Sequence, residues 1–162
     1  MANDLFLKIT STKGEIPGES KKEGKTGQTE LDSFSIGASQ PGSWGSHGGG
    51  STGKVSFSDI SFTTYISKGS PKIFDAMKNH DALTEVIFSA RKGVGDKQED
   101  FYVVTLKDAV FTNYSIGANE HGAPQVGGSV NYKKIKIQYK EQLDNNTLGP
   151  WVEVEFDQAA GL

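Results

Sequence analysis

The sequence FYVVTLKDAVFTNYSI, residues 101–116, decides the fold. Its first six residues, 101–106, carry mostly apolar side chains at both odd and even positions, which is typical of a strand covered on both faces. The apolar pattern resumes at 110–116, after a polar pair that includes Asp108. We therefore predict one central strand over this stretch, with a break near Asp108.

Six further segments alternate apolar and polar residues with a period of two, which is the pattern of a strand with one buried face. Their apolar positions are Leu5/Leu7/Ile9, Phe34/Ile36/Ala38, Ile60/Phe62/Thr64/Ile66, Val86/Phe88/Ala90, Ile135/Ile137/Tyr139 and Val152/Val154/Phe156. In the first segment, Phe6 alternates with these positions and therefore shares a face with Lys8.

One short stretch favours a helix. Ser70 is a suitable N-cap, and Pro71 fits the first helical position. The apolar residues Ile73, Phe74 and Met77 fall on one face, which we expect to lie against the sheet, because so short a helix is marginal alone. The predicted fold class is mainly β: an antiparallel β-barrel or two packed sheets with one short flanking α-helix.

Two segments, 34–66 and 114–139, share a pattern of apolar residues, glycines and loop positions. In both, the apolar parity slips by one residue, at 58–59 and at 133–134, and a β-bulge would absorb each slip. The first segment contains a longer glycine-rich loop, 41–54, than the second. The pattern is explained either by a duplicated hairpin arm or by two unrelated hairpins that both need a glycine turn.

Length and composition limit the function classes. A chain of 162 residues has the length of one domain, and its formal net charge of −3 argues against a protein that neutralises nucleic-acid phosphates. Without cysteine there is no disulfide framework and no thiolate metal site. The first residues offer neither a cationic region nor a long apolar run, so we expect synthesis in the cytoplasm, no cleavable signal peptide and no membrane insertion.

The sequence contains no recognisable catalytic or metal-binding motif. Residues 48–55 come close to a phosphate-binding loop, but Val55 stands where a Mg²⁺-binding hydroxyl is needed, and a strand pattern follows instead of a helix. The histidines His47, His80 and His121 lie far apart, without metal-ligand spacing. We therefore expect a protein that is not an enzyme and that takes no cofactor and no metal.

Several segments in a fixed order carry a resemblance to a known family. They are Met1-Ala2, Phe6-Leu7-Lys8-Ile9, Lys13-Gly14-Glu15, Gly53-Lys54-Val55, Asp59-Ile60-Ser61-Phe62-Thr63, Tyr65-Ile66, Ser70-Pro71, Ala90-Arg91-Lys92, Phe101-Tyr102, Thr105-Leu106-Lys107-Asp108, and Val130 with Ile135, Ile137 and Tyr139. Together they resemble the haemolysin-coregulated protein (Hcp) family, the inner-tube protein of bacterial type VI secretion systems. The long loop over 14–28, the segment 78–83 and the tail from Gln142 depart from the common form.

The resemblance implies a β-barrel with a side helix, similar to phage tail-tube proteins, that spans 1–162 as one domain with an extended loop at 41–54. It implies that six copies close into a ring and that rings stack into a tube. The implied partners are a VgrG spike, a contractile sheath and effectors carried in the lumen. It also implies that the protein is itself secreted, without a signal peptide.

The loop 41–54 is the candidate for ring-to-ring contact, and Trp44, His47 and Lys54 are its candidate residues. A large aromatic side chain in a Gly/Ser-rich loop is seldom left in water. Trp44 could equally fold back onto its own barrel. In a second class of protein, a carbohydrate-binding β-sandwich, Trp44 or Trp151 would serve as a stacking platform. An enzyme would instead need a cleft with facing carboxylates or a histidine partner.

Overall fold

The computed structural model describes residues 4–40 and 55–158, which form ten strands and one helix. In chain order these are β1 (Asp4–Ser11), β2 (Gly14–Ile16), β3 (Thr29–Ser35), β4 (Ala38–Ser39), β5 (Ser56–Phe57), β6 (Ile60–Tyr65), α1 (Ser70–Lys78), β7 (Leu83–Val94), β8 (Lys97–Asn119), β9 (Gly122–Tyr139) and β10 (Val152–Asp157). The predicted fold class, mainly β with one short helix, is confirmed.

One antiparallel sheet closes on itself. Its strand order is β10-β9-β6-β3-β1-β7-β8, with β2 paired to β1. A further pairing of β8 with β9 closes the barrel and leaves β10 outside the closed set of strands. β9 gives one edge to β8 and divides the other between β6, at 125–130, and β10, at 134–139. β4 and β5 form a separate two-stranded sheet.

The hydrophobic core is built from alternate residues of the long strands. Its fully buried large side chains are Leu7, Ile9, Ile60, Phe62, Leu83, Val86, Phe88, Val104, Leu106, Val126 and Val130. The helix α1 contacts β8 and adds Ile73 and Ala76 to the same cluster. The period-two pattern therefore identified the core side of most strands correctly.

The predicted break near Asp108 is a local irregularity inside one continuous strand, β8. Asp108 has a φ of 54°, in the left-handed region that aspartate tolerates better than most residues. The core-facing parity changes at this point, since Val104 and Leu106 are buried before it and Ala109 and Phe111 after it. The strand thus turns its other side to the core without ending.

The neighbouring strands change parity at the same level of the sheet. In β9, Tyr132 is buried before the change and Ile135 after it, so the parity slip predicted at 133–134 is present. In β7, the change falls between the buried residues Leu83 and Val86. Three adjacent strands therefore exchange their core-facing sides along one line across the sheet.

This exchange leaves the register between β8 and β9 intact. Lys107 pairs with Lys134 and Ala109 with Tyr132, so the two strands stay in step across the line. A β-bulge places an extra residue in one strand only, whereas here the extra residue of one strand faces an extra residue of the next. The prediction of a single-strand bulge at 133–134 is therefore wrong, although the slip itself is real.

The duplicated hairpin arm is also wrong, because the two segments pair differently. Phe34 pairs with Phe62 in the ladder between β3 and β6. The residue that matches Phe34 in the second segment is Tyr114, which pairs with Gly128 and not with Ile137, the counterpart of Phe62. The similarity is that of two unrelated hairpins.

The register change predicted at 58–59 is present, whereas the length predicted for the second loop is wrong. At 58–59 the chain does leave the sheet between β5 and β6, and the register changes by one residue between the pairs Ser35–Ser61 and Ala38–Phe57. The second loop, which the pattern predicts over residues 121–129, is much shorter, because β9 begins at Gly122 directly after a tight turn.

The helix begins one position earlier than predicted. Ser70 is its first residue and Pro71 its second, so the N-cap is Gly69, which has no side chain to cap with. A Cβ atom on Gly69 would overlap the carbonyl oxygen of Pro17. Close packing, and not a capping hydroxyl, therefore selects the residue at this position, and the assignment of Ser70 as N-cap is wrong. Ile73 is buried against the sheet, as predicted.

Replacing Asp108 tests the irregularity in β8. Asp108→Val is expected to lower the free energy of unfolding by about 1–3 kcal/mol, because a β-branched residue is disfavoured at this φ. Asp108→Gly should change it by less than about 1 kcal/mol, since glycine accepts the conformation. Urea unfolding measures both, and the exposed neighbour Lys107→Val is the matched control. Equal effects of valine at 107 and 108 would contradict this account.

Candidate assembly surfaces

Phe6 does share a face with Lys8, but it is fully buried there, beneath the segment that joins β2 to β3. The guanidinium carbon of Arg91 lies 4.8 Å from the centre of the Phe6 ring, and the Lys25 Nζ lies 5.8 Å from it. Cations over an aromatic face are held by the quadrupole of the ring as well as by packing. The sequence pattern missed this burial because alternation does not reveal what covers a face.

Polar contacts fix the segment over Phe6. The Lys25 ammonium donates hydrogen bonds of 3.0 Å each to Ser89 Oγ and to the Asp100 carboxylate. The Arg91 Nη1 donates to the carbonyl oxygen of Glu23 at 2.7 Å. The predicted long loop over 14–28 is therefore an ordered part of the barrel surface.

A row of apolar side chains on β10 is exposed. Val152 is 70% exposed and Val154 61%, and both face the same side as Tyr139, which pairs with Val152. We call Tyr139, Val152 and Val154 the β10 strip. Alternation assigned β10 a buried face, and this is wrong for its two valines. Only the last apolar residue of the row, Phe156, packs closely, with its ring 4.7 Å from that of Phe57.

The segment that carries β10 is acidic, whereas the strand β9 beside it carries lysines. β10 lies at one end of the strand order, and residues 141–158 contain five carboxylates and no Lys or Arg. Glu153 and Glu155 lie on the side opposite to the valines, where their carboxylate oxygens are 3.5 and 3.6 Å from the Lys136 Nζ. The strip is therefore an apolar edge beside carboxylates that the lysines of β9 partly neutralise.

A second exposed apolar surface lies beside α1. We call Ile66, Phe74 and Ile116 the helix strip. Phe74 is 42% exposed, and its ring stands edge-on to that of Tyr114 with the centroids 4.6 Å apart. The alternation predicted Ile66 as buried, but it lies just beyond the end of β6 and is 47% exposed.

The helix strip is continuous across the sheet. Val126 of β9 pairs with Ile116 on one side and with Thr64 on the other. Ile66 is two residues after Thr64, and its amide donates to the carbonyl oxygen of Pro124 at 3.1 Å, which extends the ladder. Ile66 and Ile116 therefore share one face. Residues 66–78 contain three lysines and one aspartate, and the aspartate, Asp75, pairs with Lys78.

Comparison with known proteins gives the family. The family model described as "Type VI secretion system effector, Hcp" matches residues 6–139. The chain belongs to the Hcp family. It is accordingly a type VI secretion protein, and the resemblance found in the sequence is confirmed. The match ends at the last residue of β9, so β10 and the acidic segment lie beyond it.

Individual Hcp proteins agree with this assignment. The chain is 32% identical over 144 residues to the protein hcp1 of Pseudomonas aeruginosa strain PAO1. The aligned region covers 88% of this chain and 86% of that protein. A solved type six secretion system protein superposes with a TM-score of 0.90 at 21% identity, covering 99% of both chains. Hcp1 from Salmonella typhimurium superposes with a TM-score of 0.78 at 24% identity, covering 99% of this chain and 97% of that one. At these identities the two structures support the Hcp fold.

The residues predicted for ring stacking, Trp44, His47 and Lys54, lie outside the described residues, as does the extended loop 41–54. Their role stays a prediction, and so does the single domain over 1–162. The structure does describe Trp151, the other candidate platform. It is 37% exposed, and the Lys140 Nζ lies 4.3 Å from the centre of its ring.

Among residues 4–40 and 55–158, no three His, Asp or Glu side chains are arranged to hold a metal ion. His80 follows α1, whereas His121 lies in the turn between β8 and β9, 3.2 Å from the Glu120 carboxylate. The helix in the described part of the chain is too short to span a membrane.

Arg91→Met tests whether the buried guanidinium fixes the segment over Phe6. The variant should lose about 1–3 kcal/mol of unfolding free energy, because the Glu23 carbonyl loses its buried donor. Amide exchange should accelerate first at Gly18 and Gly27, whose amides donate within the segment. Lys97→Met, which removes a positive charge from the same surface, is the control. Unchanged exchange at both glycines would contradict the role of Arg91.

Proposed function

We propose that this Hcp-family chain is the structural subunit of a type VI secretion tube. Six copies close into a ring, rings stack into a tube, and the chain acts by assembly and not by catalysis. The observation that carries the proposal is the family match over 6–139. Two exposed apolar strips of different residues support it, because a ring needs unlike surfaces that meet head to tail.

The tube works together with a spike and a contractile sheath. The chain is made in the cytoplasm, assembles beneath a VgrG spike inside a contractile sheath, and is itself secreted without a signal peptide. Effectors travel in the lumen of the ring. The loop 41–54, with Trp44, His47 and Lys54, provides the contact between stacked rings.

A carbohydrate-binding module is the competing function, and it depends on an open aromatic platform. The Lys140 ammonium lies over the Trp151 ring, so one face of that ring is already occupied. This contact and the family match favour the tube subunit.

Light scattering coupled to size-exclusion chromatography tests ring formation. The expected particle has six times the 17.4 kDa chain mass, and negative-stain microscopy should show annular particles with a central hole. The same preparation applied to immobilised oligosaccharides tests the competing function. A monomer at every soluble concentration would overturn the proposed ring.

Trp44→Gly tests the stacking loop. We expect a soluble ring of unchanged mass that forms fewer stacked tubes and is secreted less, because burying a large aromatic contributes about 2–3 kcal/mol to a contact. Tube length by microscopy and the secreted fraction by immunoblot measure the effect. His121→Gly, at the exposed turn between β8 and β9, is the control. Normal stacking by the Trp44 variant would mean that another segment makes the contact between rings. The loop over 14–28 is then the next segment to test.

A further inference from the structure

We propose that Asp59 is a positioning residue for ring stacking, because its carboxylate holds the two strands that flank the loop 41–54 against the barrel. We call these two strands, β4 and β5, the stem. Asp59 follows the stem and precedes β6, at the point where the chain returns to the barrel sheet. The inference rests on the proposed stacking role of the loop and names the side chain that fixes its base.

The stem is too small to hold its own position. Each of its strands has two residues, so its ladder consists of the pairs Ala38–Phe57 and Ser39–Ser56. A two-stranded hairpin is marginally stable at best in water, and contacts with the barrel must supply the rest. The ring of Phe57 packs on that of Phe156, but apolar packing alone gives little direction.

Ser58 joins the two chain segments at the base of the stem. Its amide and its hydroxyl donate to the Gly37 carbonyl oxygen at 2.8 and 2.9 Å, and its Oγ accepts from the Gly37 amide at 2.9 Å. The Ser58 carbonyl oxygen accepts from the Tyr132 hydroxyl at 3.0 Å. Burial, together with the charge of Asp59, raises the pKa of Tyr132 to about 12, so this hydroxyl stays a donor at neutral pH.

The Asp59 carboxylate connects the stem to two strands of the barrel. Its Oδ2 accepts from Thr112 Oγ1 of β8 at 2.7 Å, and its Oδ1 accepts from Asn131 Nδ2 of β9 at 2.8 Å. The Ser129 hydroxyl lies 2.8 Å from the same Thr112 oxygen and can donate to it, which completes a chain of hydrogen bonds. Hydrogen bonds to an ionised acceptor are the stronger kind. Two of them on one planar group fix both the place and the orientation of Asp59.

A β-bulge in β8 presents Thr112 to Asp59. Phe111 pairs with Val130 and Asn113 with Ser129, so Thr112 is an extra residue between two consecutive pairs of the ladder. Bulges redirect side chains and are over-represented beside functional sites. The register change at 58–59 and the bulge at Thr112 therefore meet in one hydrogen bond.

A fixed stem favours stacking because it reduces what the loop must lose on binding. Ordering a segment at a contact costs conformational entropy, and the cost falls when the ends of the segment are already held in place. The hydrogen bonds of Ser58 hold the stem together, and those of Asp59 hold it to β8 and β9. Asp59 thus acts on ring stacking through the stem, without contacting the neighbouring ring itself.

Two substitutions of Asp59 test this role. Asp59→Ala removes both acceptors, so amide exchange at Ser58 should become about three- to tenfold faster, the effect of losing one or two net hydrogen bonds. Rings of unchanged mass should then form fewer stacked tubes. Asp59→Asn should stay close to the wild type in both measurements, since its oxygen can accept from Thr112 and its NH2 can donate to a reoriented Asn131 amide. Asp144→Ala, which removes an exposed carboxylate outside the stem, is the control.

The outcomes separate this proposal from the proposed function. Wild-type exchange at Ser58 in Asp59→Ala would show that the carboxylate does not hold the stem. Faster exchange with normal tubes would also overturn the proposal, while the tube function stands. Equal losses in the alanine and asparagine variants would assign the effect to charge and contradict the hydrogen-bonding role.

Failure of the wild type to form tubes would count against the proposed function, and the exchange at Ser58 would still decide whether Asp59 holds the stem. Circular dichroism establishes that each variant folds. If Asp59→Ala does not fold, Thr112→Val replaces it, because this substitution removes one donor and keeps the shape of the side chain. The Thr112 variant should then show faster exchange at Ser58 and fewer tubes, and wild-type behaviour in both would overturn the proposal.

Discussion

β9 gives one edge to β8 over most of its length and shares the other edge between β6 and β10. The pairing with β8 closes the barrel, because it joins the last strand of the order back to β9. The divided edge has a second consequence. β10 continues the sheet on the half of β9 that β6 leaves unpaired, beyond the strands that surround the core. The exposed valines of β10 thus depend on the same strand, β9, whose other edge closes the barrel.

The long strands change their core-facing side along one line without losing register. Asp108 in β8 lies opposite the parity slip in β9, and β7 changes parity beside them. The sequence indicated two of these irregularities, a break near Asp108 and a slip at 133–134. It could not show that they face each other, because partner and register are properties of the assembled sheet. The inferred hairpin repeat failed for the same reason: matching apolar patterns do not fix which residues pair.

The candidate surfaces mark the limit of sequence reasoning in a similar way. Alternation assigned Val152 and Val154 to the core side of their strand correctly, but burial depends on a further element that covers them. The burial of Phe6 shows the converse. It is covered by Lys25, which the segment before β3 carries back over it, and by Arg91, which the pairing of β7 with β1 brings beside it. Family resemblance needs only ordered local motifs, and so it was found from the sequence.

The family match ends before the most exposed apolar residues of the described chain. The helix strip lies within residues 6–139, whereas Val152 and Val154 lie beyond them. Charge does not set these valines apart, because Glu153 and Glu155 on the other side of the same strand both pair with Lys136 of β9. What distinguishes them is apolar area on an edge strand, and such area favours association without giving it direction.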